Sequence, residues 1–299
     1  MGPPVINRED VKQGAASEGD IRFARRRLGH AAGAHRIGCS LYVVEAGARQ
    51  MPVHVHGDEE EIFFVLAGGG LSWQSGAACA VGPGDVVVHP PQRDPHTFLA
   101  GDSGLELLAF ASGTDTGITY LPRARVMWCG PRWVPADAPH PFQAETAAGA
   151  LERPEPGERP ANVIAIADVS PRSCPGAEVR ALGHAAGAVK AGLNHVTLAP
   201  GGGGVPPHCH ALEEELFVVL HGSGTLELGG DEHALVIGDV AARPPSTGVA
   251  HRLRAGGQGM TYLAYGTREP GDSVFYPETG QVRLRGLAVT IDVSAGPAR

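Results

Sequence analysis

Along most of the chain, apolar residues come in short runs broken by glycine, proline or aspartate. No segment keeps the apolar repeat of 3.6 residues that marks a helix packed on one face. The runs are rich in β-branched and aromatic side chains, which predicts short β-strands, about four to eight residues each, joined by tight turns. Evenly spaced short strands must dispose of their edges, so the pattern predicts closed barrels or two-sheet jelly rolls. The 43 glycines and 25 prolines are spread between the apolar runs, which favours an all-β protein over a disordered one.

One stretch carries chemistry: His54-Val55-His56-Gly57-Asp58-Glu59-Glu60-Glu61-Ile62-Phe63-Phe64-Val65-Leu66. Strand alternation puts His54 and His56 on one face. Gly57-Asp58 is a turn signal. If Glu61 faces inward on the strand that follows, so do Phe63 and Val65. Two imidazoles and a carboxylate on one interior face make half of a metal site. Glu60 is the substitute ligand if the register differs by one residue.

The stretch returns as His208-Cys209-His210-Ala211-Leu212-Glu213-Glu214-Glu215-Leu216-Phe217. Leu28-Gly-His-Ala-Ala-Gly-Ala34 also reappears letter for letter as Leu182 to Ala188, an offset of 154 that Gly84-Asp85-Val86 and Gly238-Asp239-Val240 share. Beyond that the offset is 155, and it pairs His96 with His251. A constant offset over this span means two copies of one fold, each about 110–120 residues. We place an N-terminal arm with at most one short strand at 1–24, a first barrel at 25–130, a Pro-rich linker at 131–162 and a second barrel at 163–299. The linker reads as extended, with Ala144–Leu151 as a helical turn, and Trp133, Phe142 and Leu151 predict that it packs across both barrels.

The net charge of -8 gives no general attraction to nucleic acid or to an anionic membrane. Arg25-Arg26-Arg27 reads as a solvated strand end or a source of ion pairs. Residues 1–20 hold no apolar core of signal-peptide length, and no apolar run reaches membrane-spanning length. The five cysteines are odd in number and form no CxxC, which fits a reducing cytoplasm.

The repeated elements resemble the two signature motifs of the cupin superfamily. The first is a glycine, five residues, His-x-His, three or four residues, Glu, six residues and Gly. Here His54, His56, Glu61 and Gly68 fit it, and so do Gly202, His208, His210, Glu215 and Gly222. The second is a glycine, five residues, Pro-x-Gly, two residues and His, which ends here on His96 and His251. Departures are Gly47, one residue too far from His54; longer Pro-to-His loops; Arg93 in place of the turn glycine; and Ala100 and Ala255 in place of the trailing Asn. The resemblance covers about 25–125 and 178–285, and the tail after Thr261 is similar to bacterial tandem cupins. It implies two tandem jelly-roll barrels, a bicupin. One divalent transition metal per barrel would be held by His54, His56, Glu61 and His96, and by His208, His210, Glu215 and His251. Fe2+ or Mn2+ stand ahead of Ni2+, Co2+ and Zn2+.

Such a site in an apolar barrel, with Phe63, Val65, Phe98 and Phe217 inside, predicts a metal-dependent dioxygenase acting on a small aromatic or oxygen-rich acid. The alternatives are a Lewis-acid isomerase or decarboxylase of a small acid or sugar, and a non-catalytic binding bicupin. A decarboxylase of the oxalate type needs an acidic residue over the metal, and the sequence singles out none. His195, Arg243 and Tyr262 are the candidate catalytic residues, with Arg252 beside a ligand and alternating outward. His30 and His184 read as hydrogen bonders of the fold, and Glu59, Glu60, Glu213 and Glu214 as turn or solvent residues. The expected partner is a small molecule. Two fused copies can satisfy the usual pairing of cupin domains within one chain, giving a monomeric pseudo-dimer or a homodimer.

Overall fold

The computed structural model describes residues 5–112, 117–129, 132–134 and 140–293. In the first repeat the strand bearing Glu61, Glu60–Gln74, is the centre of an antiparallel sheet. Asp85–His89 and Ala77–Val81 pair along one edge of it, and His96–Ser112 along the other. Ile37–Val44, Ile21–Arg26 and Gln13–Glu18 follow outward. A smaller sheet joins Val55–His56, Ile118–Leu121, Val126–Cys129 and Arg132–Val134. The second repeat has the same order around Glu215–Leu228, with His251–Thr267, Ala191–Leu198, Ala177–Arg180 and Arg172–Cys174 outward. Its smaller sheet runs Cys209–His210, Ser273–Tyr276, Gln281–Leu284 and Val289–Asp292.

The longest strands exceed the expected four to eight residues: Glu60–Gln74 has 15 and His96–Ser112 has 17. Their pairing shifts register between Val65 and Ala67 and again between Gly68 and Gly70. Such bulges bend a long strand so that one sheet can wrap around. Gly68 has φ +75°, and a Cβ there would run into the Gly104 carbonyl; Gly222 repeats this against Gly259. These are the motif-closing glycines, and close backbone approach at the bend is what excludes a side chain there.

Burial on two faces explains the unbroken apolar runs. Phe63 and Val65 point into the first barrel, with Phe98 and Leu107. Ile62 and Phe64 point the other way, into a core shared with Leu193, Leu216, Val218 and Tyr265 of the second repeat. Phe217 and Val219 fill the second barrel.

The repeats are also tied by exchanged strands. Ile6–Asn7 pairs with Asp239–Arg243 of the second barrel, and Val163–Ala165 pairs with Asp85–His89 of the first. The arm therefore contains two strands, because Gln13–Glu18 lies in it as well. Glu60 and Glu214, expected at turns or in solvent, are both 0% exposed. Glu60 accepts backbone N–H bonds from Val189, Lys190 and Ala191, and Glu214 accepts them from His35, Arg36 and Ile37. Each carboxylate thus closes the start of a strand in the opposite repeat. His30 and His184 have exposed side chains, and it is their backbone carbonyls that close turns, onto Gly33 and Gly187.

The linker helix is Pro141–Ala147, slightly earlier than expected. Its Glu145 and the fully buried Arg49 form an ion pair of 2.5 Å, with Asp20 2.8 Å from the same guanidinium. Phe142 packs on Phe23, Arg159 holds Asp85 with two bonds, and Asn162 donates to the Val88 carbonyl. Among the described residues, these contacts fasten the linker to the first barrel rather than across both. The side chain of Trp133 lies outside the described residues. No described helix is long and apolar enough to cross a membrane.

Candidate metal centres

The backbone presents the histidines before any ion is considered. His54 and His96 face each other across an antiparallel bridge, with N–H to O distances of 3.2 and 3.0 Å. His208 and His251 form the same bridge, at 3.2 and 2.9 Å. His56 stands two residues from His54 at the edge of the smaller sheet, opposite Thr119. Glu61 reaches into the barrel from the central strand. Its Oε2 lies 3.4 Å from His54 Nε2, 3.2 Å from His56 Nε2 and 2.9 Å from His96 Nε2. In the second barrel Glu215 Oε2 lies 3.8, 3.4 and 2.9 Å from the Nε2 atoms of His208, His210 and His251. All eight residues named from the sequence therefore come together, four in each barrel.

The outer ring nitrogens fix the tautomers. His54 Nδ1 is 2.8 Å from the Pro52 carbonyl, His96 Nδ1 is 3.0 Å from that of Asp94, and His208 Nδ1 is 2.8 Å from that of Pro206. A carbonyl only accepts, so Nδ1 carries the hydrogen and the lone pair of Nε2 points at the cluster. That arrangement is how proteins orient imidazoles toward a metal. The inner atoms fit an ion as well. Buried His56 Nε2, Glu215 Oε2 and His251 Nε2 have no hydrogen-bond partner, although each lies near an oppositely polar atom. Short distances without hydrogen-bond geometry are expected of donors aimed at a common point between them.

His56 in the first set and His210 in the second have a carboxylate behind them, from a different source in each barrel. His56 Nδ1 is 3.1 Å from Glu59 Oε2 and 3.0 Å from the Thr119 hydroxyl. His210 Nδ1 is 2.7 Å from Asp272 Oδ2, while Glu213, the counterpart of Glu59, is drawn to Arg285. Asp272 also accepts from the backbone of Leu212 and Glu213. Burial lowers the pKa of His56, but Glu61, Glu59 and Asp58 outweigh it and raise the value to about 9. Burial likewise lowers His210, and Asp272 and Glu215 raise it to about 10. Burial favours neutral Glu61 and Glu215, yet the surrounding histidines hold both well below the usual carboxylate range. Without a cation these sites retain protons at neutral pH, so metal binding must displace them.

The candidate catalytic residues separate. Tyr262 is buried in the second barrel and lines its cavity. Arg243 is in register with Glu215, but lines neither described cavity of that barrel. His195 lies on the opposite face from Asn194, and it is Asn194 that lines the cavity. Arg252 is held by Glu227 at 2.7 Å.

Several residues escaped the sequence reading. His89 stands opposite Glu61 and stacks on His96, ring centroids 3.6 Å apart and planes at 3°. Burial and His96 hold it neutral, well below the usual histidine value. Its pairing register with Glu61 was the available signal, but the turn between the strands had to be placed first. Asp272 lies 62 residues from its histidine, so no local pattern could announce it. Arg25, taken as a solvated strand end, shares the inward face of its strand with Ile21 and Phe23; Arg26 does pair with Glu9.

The first metal cluster opens on a cavity of about 270 Å3 lined by Arg25, Tyr42, Met51, Glu59, Trp128 and Phe142, among others. The second is flanked by two cavities. One, of about 510 Å3, runs toward Arg172 and Tyr262; the other, of about 430 Å3, runs toward Arg268, Tyr276 and Arg283.

The sequence profile of the cupin domain matches the chain twice, at 40–110 and 194–264. No curated protein matches it in sequence. Among solved structures, the oxalate decarboxylase of Lactobacillus farciminis in complex with formate is 17% identical, with a TM-score of 0.63 over 90% of this chain and 87% of that one. A structure of Bacillus subtilis oxalate decarboxylase concerned with its Mn(II) centres is 15% identical, with a TM-score of 0.61 over 91% of this chain and 79% of that one. A deletion mutant of the same enzyme gives 16% and 0.60, over 89% and 77%. At such identity the likeness is one of fold. With two matched domains, two barrels and a ligand-type cluster in each, the chain belongs to the cupins as a tandem-domain member, a bicupin.

Proposed function

We propose that the protein is a metal-dependent enzyme acting on a small organic acid by Lewis-acid chemistry, with decarboxylation as the reaction class. The observation that carries this reading is the first cavity. It joins an open cluster of three imidazoles and one carboxylate to a second acid, Glu59, the only acidic residue besides Glu61 on its wall among the described residues. A bound divalent cation would polarise a substrate oxygen and stabilise the negative charge left when a carboxylate departs. Glu59, the second acid on the cavity wall, would carry the proton that such a reaction must deliver. The structural neighbours are oxalate decarboxylases, which supports this choice only as an analogy of fold.

A dioxygenase remains the second reading. Phe63 and Phe98 are buried, with ring centroids 4.8 Å apart, and Phe63 lies 6.2 Å from His96. That wall would keep water from a reactive oxygen species.

Protein reconstituted with Mn(II) or Fe(II) separates the two. We expect two metal ions per chain, one each in His96→Ala and His251→Ala, and CO2 release from oxalate or a small 2-oxo acid without matching O2 consumption. Glu59→Gln keeps its metal and loses turnover by about 100-fold, the usual scale for a proton-transfer residue. Stoichiometric O2 uptake would move the assignment to the dioxygenase. Failure to take up metal would end both.

A further inference from the structure

The inward face of strand Ile21–Arg26 ends on a cation. Ile21 and Phe23 are core residues of the first barrel, and Arg25 is next on that face. Arg25 pairs across the sheet with Tyr42, and its Nη1 donates to the Tyr42 hydroxyl at 3.1 Å. Its guanidinium carbon also sits 5.7 Å from the Tyr42 ring centroid. The neighbouring arginines on this strand have carboxylates: Arg22 has Glu45 and Arg26 has Glu9. Arg25 has none among the described residues, although it lines the same cavity as His54, His56 and Glu61. A half-buried guanidinium retains unused donors in a fork that matches a carboxylate. The Tyr42 hydroxyl accepts from Arg25, so its own hydrogen is free to donate.

The second barrel supplies the contrast. There the same cross-strand pair is Val179 and Val196. The arginines on that cavity are placed otherwise: Arg252 is taken by Glu227, and Arg172 is exposed on the outermost strand.

We propose that Arg25 and Tyr42 form a carboxylate anchor in the first cavity, making the first barrel the one that selects a small organic carboxylate with an apolar body. The inference rests on the metal-site reading above for its second contact, a substrate oxygen at the cluster. The body would lie against Met51, Leu121, Trp128 and Phe142, which form the apolar wall. A cavity of about 270 Å3 admits a single ring or a short chain and little more. Burial raises the Tyr42 pKa above the usual tyrosine value, which keeps the hydroxyl a donor at neutral pH.

Benzoate and its uncharged isostere benzamide test this on the full chain, by calorimetry, with metal content measured on the same samples. One benzoate should bind per chain, at least tenfold more tightly than benzamide. Arg25→Met should weaken benzoate at least tenfold, leave benzamide unchanged and keep two metal ions. Tyr42→Phe should weaken benzoate a few-fold, and Arg25→Lys should fall between wild type and Arg25→Met, having the charge without the fork. Benzoate binding that survives Arg25→Met, that is no tighter than benzamide, or that fills both barrels alike overturns the anchor. A chain that takes up no metal yet binds benzoate through Arg25 overturns the enzymatic reading and leaves the anchor standing.

Discussion

The two barrels hold the same ligands at nearly the same separations, but their cavity walls differ. His54, His56, Glu61 and His96 superpose in kind on His208, His210, Glu215 and His251, and the residue before each glutamate docks into the opposite repeat. Around these fixed points the side chains part company. Arg25 and Tyr42 face Val179 and Val196 at the same places, His89 is replaced by Arg243, and buried Arg49 by Gly203. The carboxylate behind the second histidine comes from Glu59 in one and from Asp272 in the other. The shared set is what holds a cation and joins the repeats. The divergent set faces whatever enters. Duplication here has kept two metal-type clusters while giving each its own surroundings.

The shared set can be broken first, where the effect is largest. Replacing Glu60 by alanine strands the N–H groups of Val189, Lys190 and Ala191, and replacing Glu214 strands those of His35, Arg36 and Ile37; of these residues Ala191 and Ile37 are buried. Each unsatisfied donor costs about 1–3 kcal/mol, and water entering the gap recovers part of it. We expect about 3–5 kcal/mol of lost stability from either substitution, read by urea denaturation. The pseudo-symmetry demands that the two losses be similar. A large effect in one and none in the other would mean that the two carboxylates do not play equivalent parts.

The divergent set gives the next effect. Asp272 is 0% exposed and 2.7 Å from His210, with two backbone donors of its own; Glu59 is 24% exposed and shares His56 with Thr119. Loss of such an outer partner typically lowers metal affinity 10–100-fold. Asp272→Asn should therefore leave one tight site and one weakened in that range when Mn(II) is titrated into the metal-free protein. Glu59→Gln should leave two sites within a few-fold of wild type, because the Thr119 hydroxyl remains. Equal losses would show that the two outer partners are interchangeable despite their different geometry.

What the sequence made legible follows from what is local. The His-x-His spacing, the inward parity of Glu61, Phe63 and Val65, and the doubling all depend on residues close together in the chain, and the structure has them so. The exchanged strands were less visible. Val5-Ile6-Asn7-Arg8-Glu9-Asp10-Val11 does correspond to Val163-Ile164-Ala165-Ile166-Ala167-Asp168-Val169, but at an offset of 158, outside the register of the rest. Glu60 was turned away from the metal by parity alone, yet the partner it meets belongs to the other repeat. The facing of Asn194 and His195 was illegible for a different reason. Strand Ala191–Leu198 is covered on both sides, so its apolar residues do not alternate and give no phase.

His195 carries the smallest effect and the one most sensitive to pH. It occupies the place of Leu41 in the first repeat, which is buried in the shared core. Burial, with Arg180 and His221 nearby, lowers the His195 pKa to about 4, and its Nδ1 has no hydrogen-bond partner. In the unfolded chain the same group titrates near 6.5. Between those values the unfolded state binds a proton that the folded state refuses, so stability falls as pH drops from about 6.5 toward 4. Above that window both states are neutral there, and the residue adds no pH dependence. His195→Leu makes the second repeat resemble the first at this position and removes the titration. Its unfolding midpoint should match wild type within a degree or two near pH 8, and the difference in its favour should widen as the pH falls through 6 and 5. Because His195 is only partly buried, the gain should remain modest. A difference that is constant from pH 8 to pH 4.5 would mean that the two repeats differ at this position in packing alone.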